Sequence, residues 1–176
     1  MKRSFCCLLL LALCVLSWVS PLQAEDFNSL KRAKLTEAQS VNQLKYMMVK
    51  GFDRIKKEVV KNGSFPPFGL TLSPDAEFKA VIPDIEAKLP SQVVLVKLAE
   101  SMAAIAQTRS MWAVGIMYIR AIKRDDGTYL QRIIVMTEHI AGWARHWAYP
   151  FKMEDGEFKL GTPQELEVKP VYFTKK

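Results

Sequence analysis

The chain has 176 residues, 49% hydrophobic and 24% charged, with 25 Lys and Arg against 18 Asp and Glu for a net charge of +7. That is an ordinary globular balance, with no internal repeat and no low-complexity segment. Cys6, Cys7 and Cys14 all lie within the first 24 residues, so a chain that loses those residues has no disulfide framework, no thiol nucleophile and no thiolate metal site.

Those first residues have the order of a secretory signal peptide. Met1-Lys2-Arg3 is a positive start, Phe5 to Val19 is an apolar run broken only by Ser17, and Ser20-Pro21-Leu22-Gln23-Ala24 is a small-residue end before the charged Glu25-Asp26. The expected cut follows Ala24 and leaves 152 of the 176 residues. Two rivals stand beside it. A retained membrane anchor would have to span with an apolar run of about 15 residues, where roughly 20 are needed. A lipoprotein acylated at Cys14 would follow Leu11-Ala12-Leu13, where a small residue is the usual neighbour. Loss of Lys2 and Arg3 lowers the net charge from +7 to +5. The address expected is periplasmic or secreted. There a basic surface faces anionic lipid headgroups, polyanionic wall material or an acidic protein, and nucleic acid is not an expected partner.

Residues 25–35 read as a loose lead-in, and residues 36–176 as a single domain. Thr36, with Gln39 three residues on, has the capping-box spacing. Val41, Leu44, Met48, Phe52, Ile55 and Val59 then form one apolar helical stripe. Lys45, Lys50, Arg54, Lys56, Lys57 and Lys61 fall mainly away from it, and Asn62-Gly63 stops the helix. Phe65-Pro66-Pro67-Phe68-Gly69 interrupts regular structure. Residues 69–72 and 78–82 read as two short strands around a Ser73-Pro74-Asp75-Ala76-Glu77 turn. Pro83 ends the second strand. Ser91 is the expected cap of a second helix running to about Gln107, with Val94, Leu95, Leu98, Met102 and Ile105 as its stripe.

Three strands follow, over about 111–122, 129–139 and 143–151, joined by tight turns at Asp126-Gly127 and Ala141-Gly142. Asp155-Gly156 precedes a short strand near 158–160, and 168–173 is a candidate edge strand. Helix, hairpin, helix and meander make an α+β fold with an antiparallel sheet. A profilin- or roadblock-like arrangement shares this element order, as an analogy of order alone.

Two-residue turns set the faces of the meander. Met117, Ile119, Ile134, Met136, Trp147 and Tyr149 share one face with Glu138 and Arg145. Trp112, Val114, Ile116, Tyr118, Ile133, Val135 and Ala144 share the other with Thr137, His139 and His146. Both faces are apolar and both need cover. With two helices on one, the other calls for the C-terminal tail, a second subunit or a ligand.

The catalytic candidates are thin. His139 and His146, the only histidines, would sit on one face, while Glu138 points to the other, which argues against a simple metal triad. Glu138 and Arg145 are expected to form a cross-strand ion pair. No second carboxylate converges on Glu138, and no Gly-x-Ser-x-Gly or Ser-x-x-Lys occurs. Trp143, Arg145, Trp147 and Tyr149 are the binding candidates, as an aromatic row suited to sugar rings or an apolar partner.

Phe65-Pro66-Pro67-Phe68-Gly69, the Leu70-Thr71-Leu72 strand, and a later strand ending Glu138-His139 before Gly142 resemble a pattern in uncharacterised small bacterial proteins. The resemblance covers roughly 40–160 and implies no activity. Ala76 stands where the pattern leads one to expect a turn glycine. The expectation is therefore an exported, non-catalytic binding protein without a cofactor, of the inhibitor or immunity type, with a protein partner or homodimer. The alternatives are a small-ligand or sugar-binding domain, and a small hydrolase or metal site at Glu138, His139 and His146.

Overall fold

A computed structural model describes residues 35–83 and 89–173. The expected leader, its cut and the lead-in before Leu35 lie outside the described residues. The fold is α+β: helix α1 (Glu37–Asn62), strands β1 (Phe68–Leu72) and β2 (Phe78–Val81), helix α2 (Ser91–Gln107), then β3 (Ala113–Lys123), β4 (Tyr129–His139), β5 (Trp143–Glu154), β6 (Glu157–Leu160) and β7 (Gln164–Val168). All pairings are antiparallel. The strand order is β2-β1-β3-β4-β5-β6, and β7 also pairs with β5. No helix among the described residues is long and apolar enough to cross a membrane.

The local signals act as their chemistry requires. At the start of α1 the Gln39 N–H donates to Thr36 Oγ1 at 3.3 Å, and the Thr36 N–H donates to Gln39 Oε1 at 2.9 Å. At its end Gly63 takes a left-handed φ of 71° and its N–H donates to the Val59 carbonyl at 2.8 Å. At α2 the expected cap differs. Ser91 is the first helical residue, and the Pro90 carbonyl, accepting from Val93 and Val94, takes the capping position with no side-chain bond.

The helices do not share a face of the sheet. Leu44, Met47, Ile55 and Val59 of α1 bury against Phe68, Leu70, Met117, Ile133, Val135 and Trp147. Leu98, Met102 and Ala106 of α2 bury against Val114 and Ile116 on the other side, with Tyr172 and Phe173 of the tail beside them. Gly115 lets strands and helix approach. A Cβ there would lie 2.6 Å from the Met136 carbonyl and 3.2 Å from Met47 Cε.

Register departs from the expected one through a single device, used twice. The loops of both long hairpins have three residues, not two. In Asp125-Asp126-Gly127 the Gly127 N–H donates to the Arg124 carbonyl at 3.0 Å; in Ile140-Ala141-Gly142 the Gly142 N–H donates to the His139 carbonyl at 2.9 Å. Each ends on a left-handed glycine, at φ 81° and 93°. The first extra residue turns β4 over, so Met117 faces Val135 and Ile119 faces Ile133. Ile134, Met136 and Glu138 therefore lie on the α2 face, and Ile133, Val135, Thr137 and His139 on the α1 face. The second extra residue turns β5 back, so Arg145, Trp147 and Tyr149 do share a face with Met117 and Ile119. The Asp155-Gly156 turn is a true two-residue loop between Glu154 and Glu157, both residues left-handed.

The expected edge strand at 168–173 is displaced. Pairing with β5 ends at Val168. Pro170 then lacks a donor, and the amides of 171–173 bond to a side chain instead of a strand.

Ala76 closes the β1–β2 loop at φ 61°, the left-handed position that glycine fills in the two long hairpins. Ala76→Gly is expected to raise stability by about 1 kcal/mol, and Gly142→Ala to lower it by about as much. Urea unfolding midpoints measure both.

Candidate functional site

The polar residues of the β4–β5 hairpin lie among the most buried of the described residues. Thr137, Glu138, His139 and Arg145 are each at most 7% exposed. Consecutive residues of β4 point to opposite faces, so they serve two separate clusters.

His139 faces α1. Its Nδ1 accepts from the Ala141 N–H at 3.0 Å, which leaves Nε2 to carry the proton and donate to Gln43 Oε1 at 2.7 Å. Burial holds its pKa down to about 4. The ring is thus a neutral brace between the hairpin loop and the first helix.

Arg145 lies on the same face, opposite Thr137 and not Glu138. Its Nη2 meets Glu37 Oε1 at 2.7 Å, and its Nε and Nη1 lie 3.5 Å from Glu165 and Glu167. One guanidinium so joins the first turn of α1 to β7. The expected Glu138–Arg145 pair does not form, because the three-residue loop places them on opposite faces.

Glu138 faces the tail. Oε1 accepts from the Val171 N–H at 2.8 Å, and Oε2 accepts from Tyr172 at 2.7 Å and Phe173 at 3.4 Å. Burial raises its pKa, and the three amide bonds work against that rise. The carboxylate is a backbone clamp for the C-terminal segment. His146 is on this same face, with Met136 and Leu166 as cross-strand neighbours, and burial lowers its pKa. The two histidines, expected on one face, therefore lie on opposite faces. Among the described residues no group of three His, Cys, Asp or Glu could hold a metal ion.

The aromatic row turns inward. Trp147 is buried in the α1 core. Tyr149 stacks edge-on against Phe52 at 4.8 Å and donates to Met48 Sδ at 3.2 Å. Burial, then the Glu165 carboxylate, raises the pKa of its hydroxyl. Trp143 pairs across from His139 and is half-buried. Partners the sequence reading missed are Gln43, Glu37 and the Val171–Phe173 amides. Gln43 stands at the polar edge of the α1 stripe and Glu37 at its N-terminal end, seven residues before Leu44, but amides carry no side-chain signal.

Among the described residues two surfaces remain open. On α1, Lys45, Lys50, Lys56, Lys57 and Lys61 are exposed. On α2, Val93 and Val96 are 40% and 56% exposed, one turn apart.

Comparison with known proteins returns no matching family model, no matching curated protein and no matching solved structure.

Two outcomes follow from the buried groups. Unfolded, the His139 imidazole takes up a proton below about 6.5; folded, it does so only near 4. Acidification across that window is expected to remove about 3 kcal/mol of stability, with His146 adding in the same direction. Urea unfolding from pH 7 to pH 4 reads this, and His139→Gln should flatten the slope. Glu138→Ala leaves three amides without their acceptor and is expected to cost about 3 kcal/mol. Limited proteolysis should then cut within the 169–173 segment much faster, with Glu138→Gln intermediate.

Proposed function

We propose that this chain, exported and freed of its leader, is a non-catalytic binding protein of the periplasm that works by protein–protein contact, in the manner of an inhibitor or immunity protein. The observation that carries the reading is the outer side of α2. The helix buries Val94, Leu98, Met102 and Ala106 against the sheet, yet it also presents Val93 and Val96 outward. Only Lys97 and Glu100 are charged among its 17 residues. A helix that is apolar on two sides is usual where a second surface covers it.

The polar groups support the same reading. Glu138, His139 and Arg145 each serve as an internal brace, and none is presented to an open cleft. Sugar binding through Trp143, Trp147 and Tyr149 draws less support, because that row faces α1. A hydrolase at Glu138, His139 and His146 draws less still, because the first two are engaged internally and the histidines lie on opposite faces.

The test is a crosslinkable residue at Ala104, on the outer side of α2, in cells that make the protein, followed by affinity measurement with the protein it captures, whether a second copy or another chain. Val93→Lys with Val96→Lys should weaken that complex at least tenfold while moving unfolding by no more than about 0.5 kcal/mol. A captured partner whose affinity ignores both substitutions, or a strict monomer that captures nothing, would remove the proposal.

A further inference from the structure

Among the described residues the outward face of α1 is the other unpartnered surface, and its layout is specific. At 100° per residue, the buried positions Leu44, Met47, Met48, Gly51, Ile55 and Val59 fall within about 120° of arc. The opposite arc carries the exposed residues in three rows. Lys45 and Lys56 form one flank, and Lys50, Lys57 and Lys61 form the other. Between them runs a strip of Asn42, Tyr46, Val49, Asp53 and Val60. Tyr46, Val49 and Val60 are each 44–53% exposed.

Among the described residues none of these five lysines has a carboxylate partner. Lys79, Lys152 and Lys159, on other surfaces, each have one. Lys50 instead lies 5.6 Å from the Tyr46 ring centroid. The five ammoniums thus stand without ion pairs along about 24 Å of helix from Lys45 to Lys61, with Asp53 the one acid in the strip between them.

We infer that this face docks flat on an anionic lipid bilayer. Lysine flanks around a partly apolar strip are the arrangement of a helix lying in the plane of a membrane interface, where ammoniums reach headgroup phosphates and the strip meets the acyl boundary. All five cations are lysines, point charges suited to a diffuse array of phosphates; a specific acidic pocket on a protein favours the planar fork of arginine. The one arginine in this stretch, Arg54, stacks over the Phe68 ring at 5.4 Å. Asp53, in the middle of the strip, weakens the attraction. Because α1 and α2 cover opposite faces of the sheet, a molecule held to lipid by α1 presents Val93 and Val96 away from it. The inference does not depend on what α2 binds.

The experiment is vesicle co-sedimentation of the protein in the form its cells accumulate. Vesicles of phosphatidylcholine with about one third phosphatidylglycerol are compared with phosphatidylcholine alone. Binding is expected only with the anionic lipid and should fall steeply between 50 and 500 mM salt. Each lysine near such a surface contributes about fivefold, so Lys50→Gln, Lys57→Gln and Lys61→Gln together should weaken binding about a hundredfold. Asp53→Asn should strengthen it severalfold. Lys79→Gln, Lys152→Gln and Lys159→Gln should change it little. All these side chains are exposed, and unchanged circular dichroism shows that the variants fold. Equal binding to neutral vesicles overturns the inference, as does indifference to the α1 substitutions. So does capture of soluble polyglutamate, with the same lysine dependence, in place of vesicles.

Discussion

A sheet that is apolar on both faces must be covered on both, and the rest of this molecule follows from how that is done. Helix α1 takes one face, and α2 with the C-terminal segment takes the other. Apolar packing alone would tolerate sliding. Each cover is therefore pinned by a buried polar group on the central hairpin. His139 and Arg145 hold α1 through Gln43 and Glu37, and Glu138 holds the tail through three backbone amides. Adjacent residues of β4 thus clamp opposite sides of the sheet. A buried polar group of this kind fixes one arrangement because any other leaves it unsatisfied.

The same requirement explains why the ionisable residues of the hairpin do not gather into a reaction centre. An imidazole that is neutral and bonded at both nitrogens has no free base to offer. A carboxylate buried beneath the tail, with both oxygens held by backbone amides, is not presented to a substrate. What the fold leaves outward is of a different kind: a weakly charged, valine-bearing strip on one helix and a cationic one on the other, on opposite sides of the sheet.

Much of the fold was legible because its signals are local. The capping box at Thr36 and Gln39, the stop at Gly63 and the apolar stripe of α1 are written within a few residues of where they act. The register of β4 was not legible. Whether Asp126-Gly127 forms a two-residue turn or the end of a three-residue loop depends on backbone angles that the same glycine satisfies either way. That single choice moves Ile134, Met136 and Glu138 to the far face. It was made twice, so its effect cancelled at β5, and Arg145, Trp147 and Tyr149 stood where period-two counting put them. The expected Glu138–Arg145 pair depended on the register of β4, and it fails with it: the two side chains lie on opposite faces of the sheet. The tail's role was hidden for another reason. Its contribution to Glu138 comes from main-chain N–H groups, which every residue but proline possesses.

The clamp at Glu138 also sets an order in time. The second face closes only with Val171, Tyr172 and Phe173, which follow both helices and all the strands in sequence. A polypeptide made from its N-terminus has completed both helices and the whole meander before those residues exist. Until they arrive, a buried acid lacks its donors and the flank of α2 lacks its aromatic cover. Closure of this face therefore waits on the 171–173 segment, and a chain held before it docks exposes the surface on which premature association would begin.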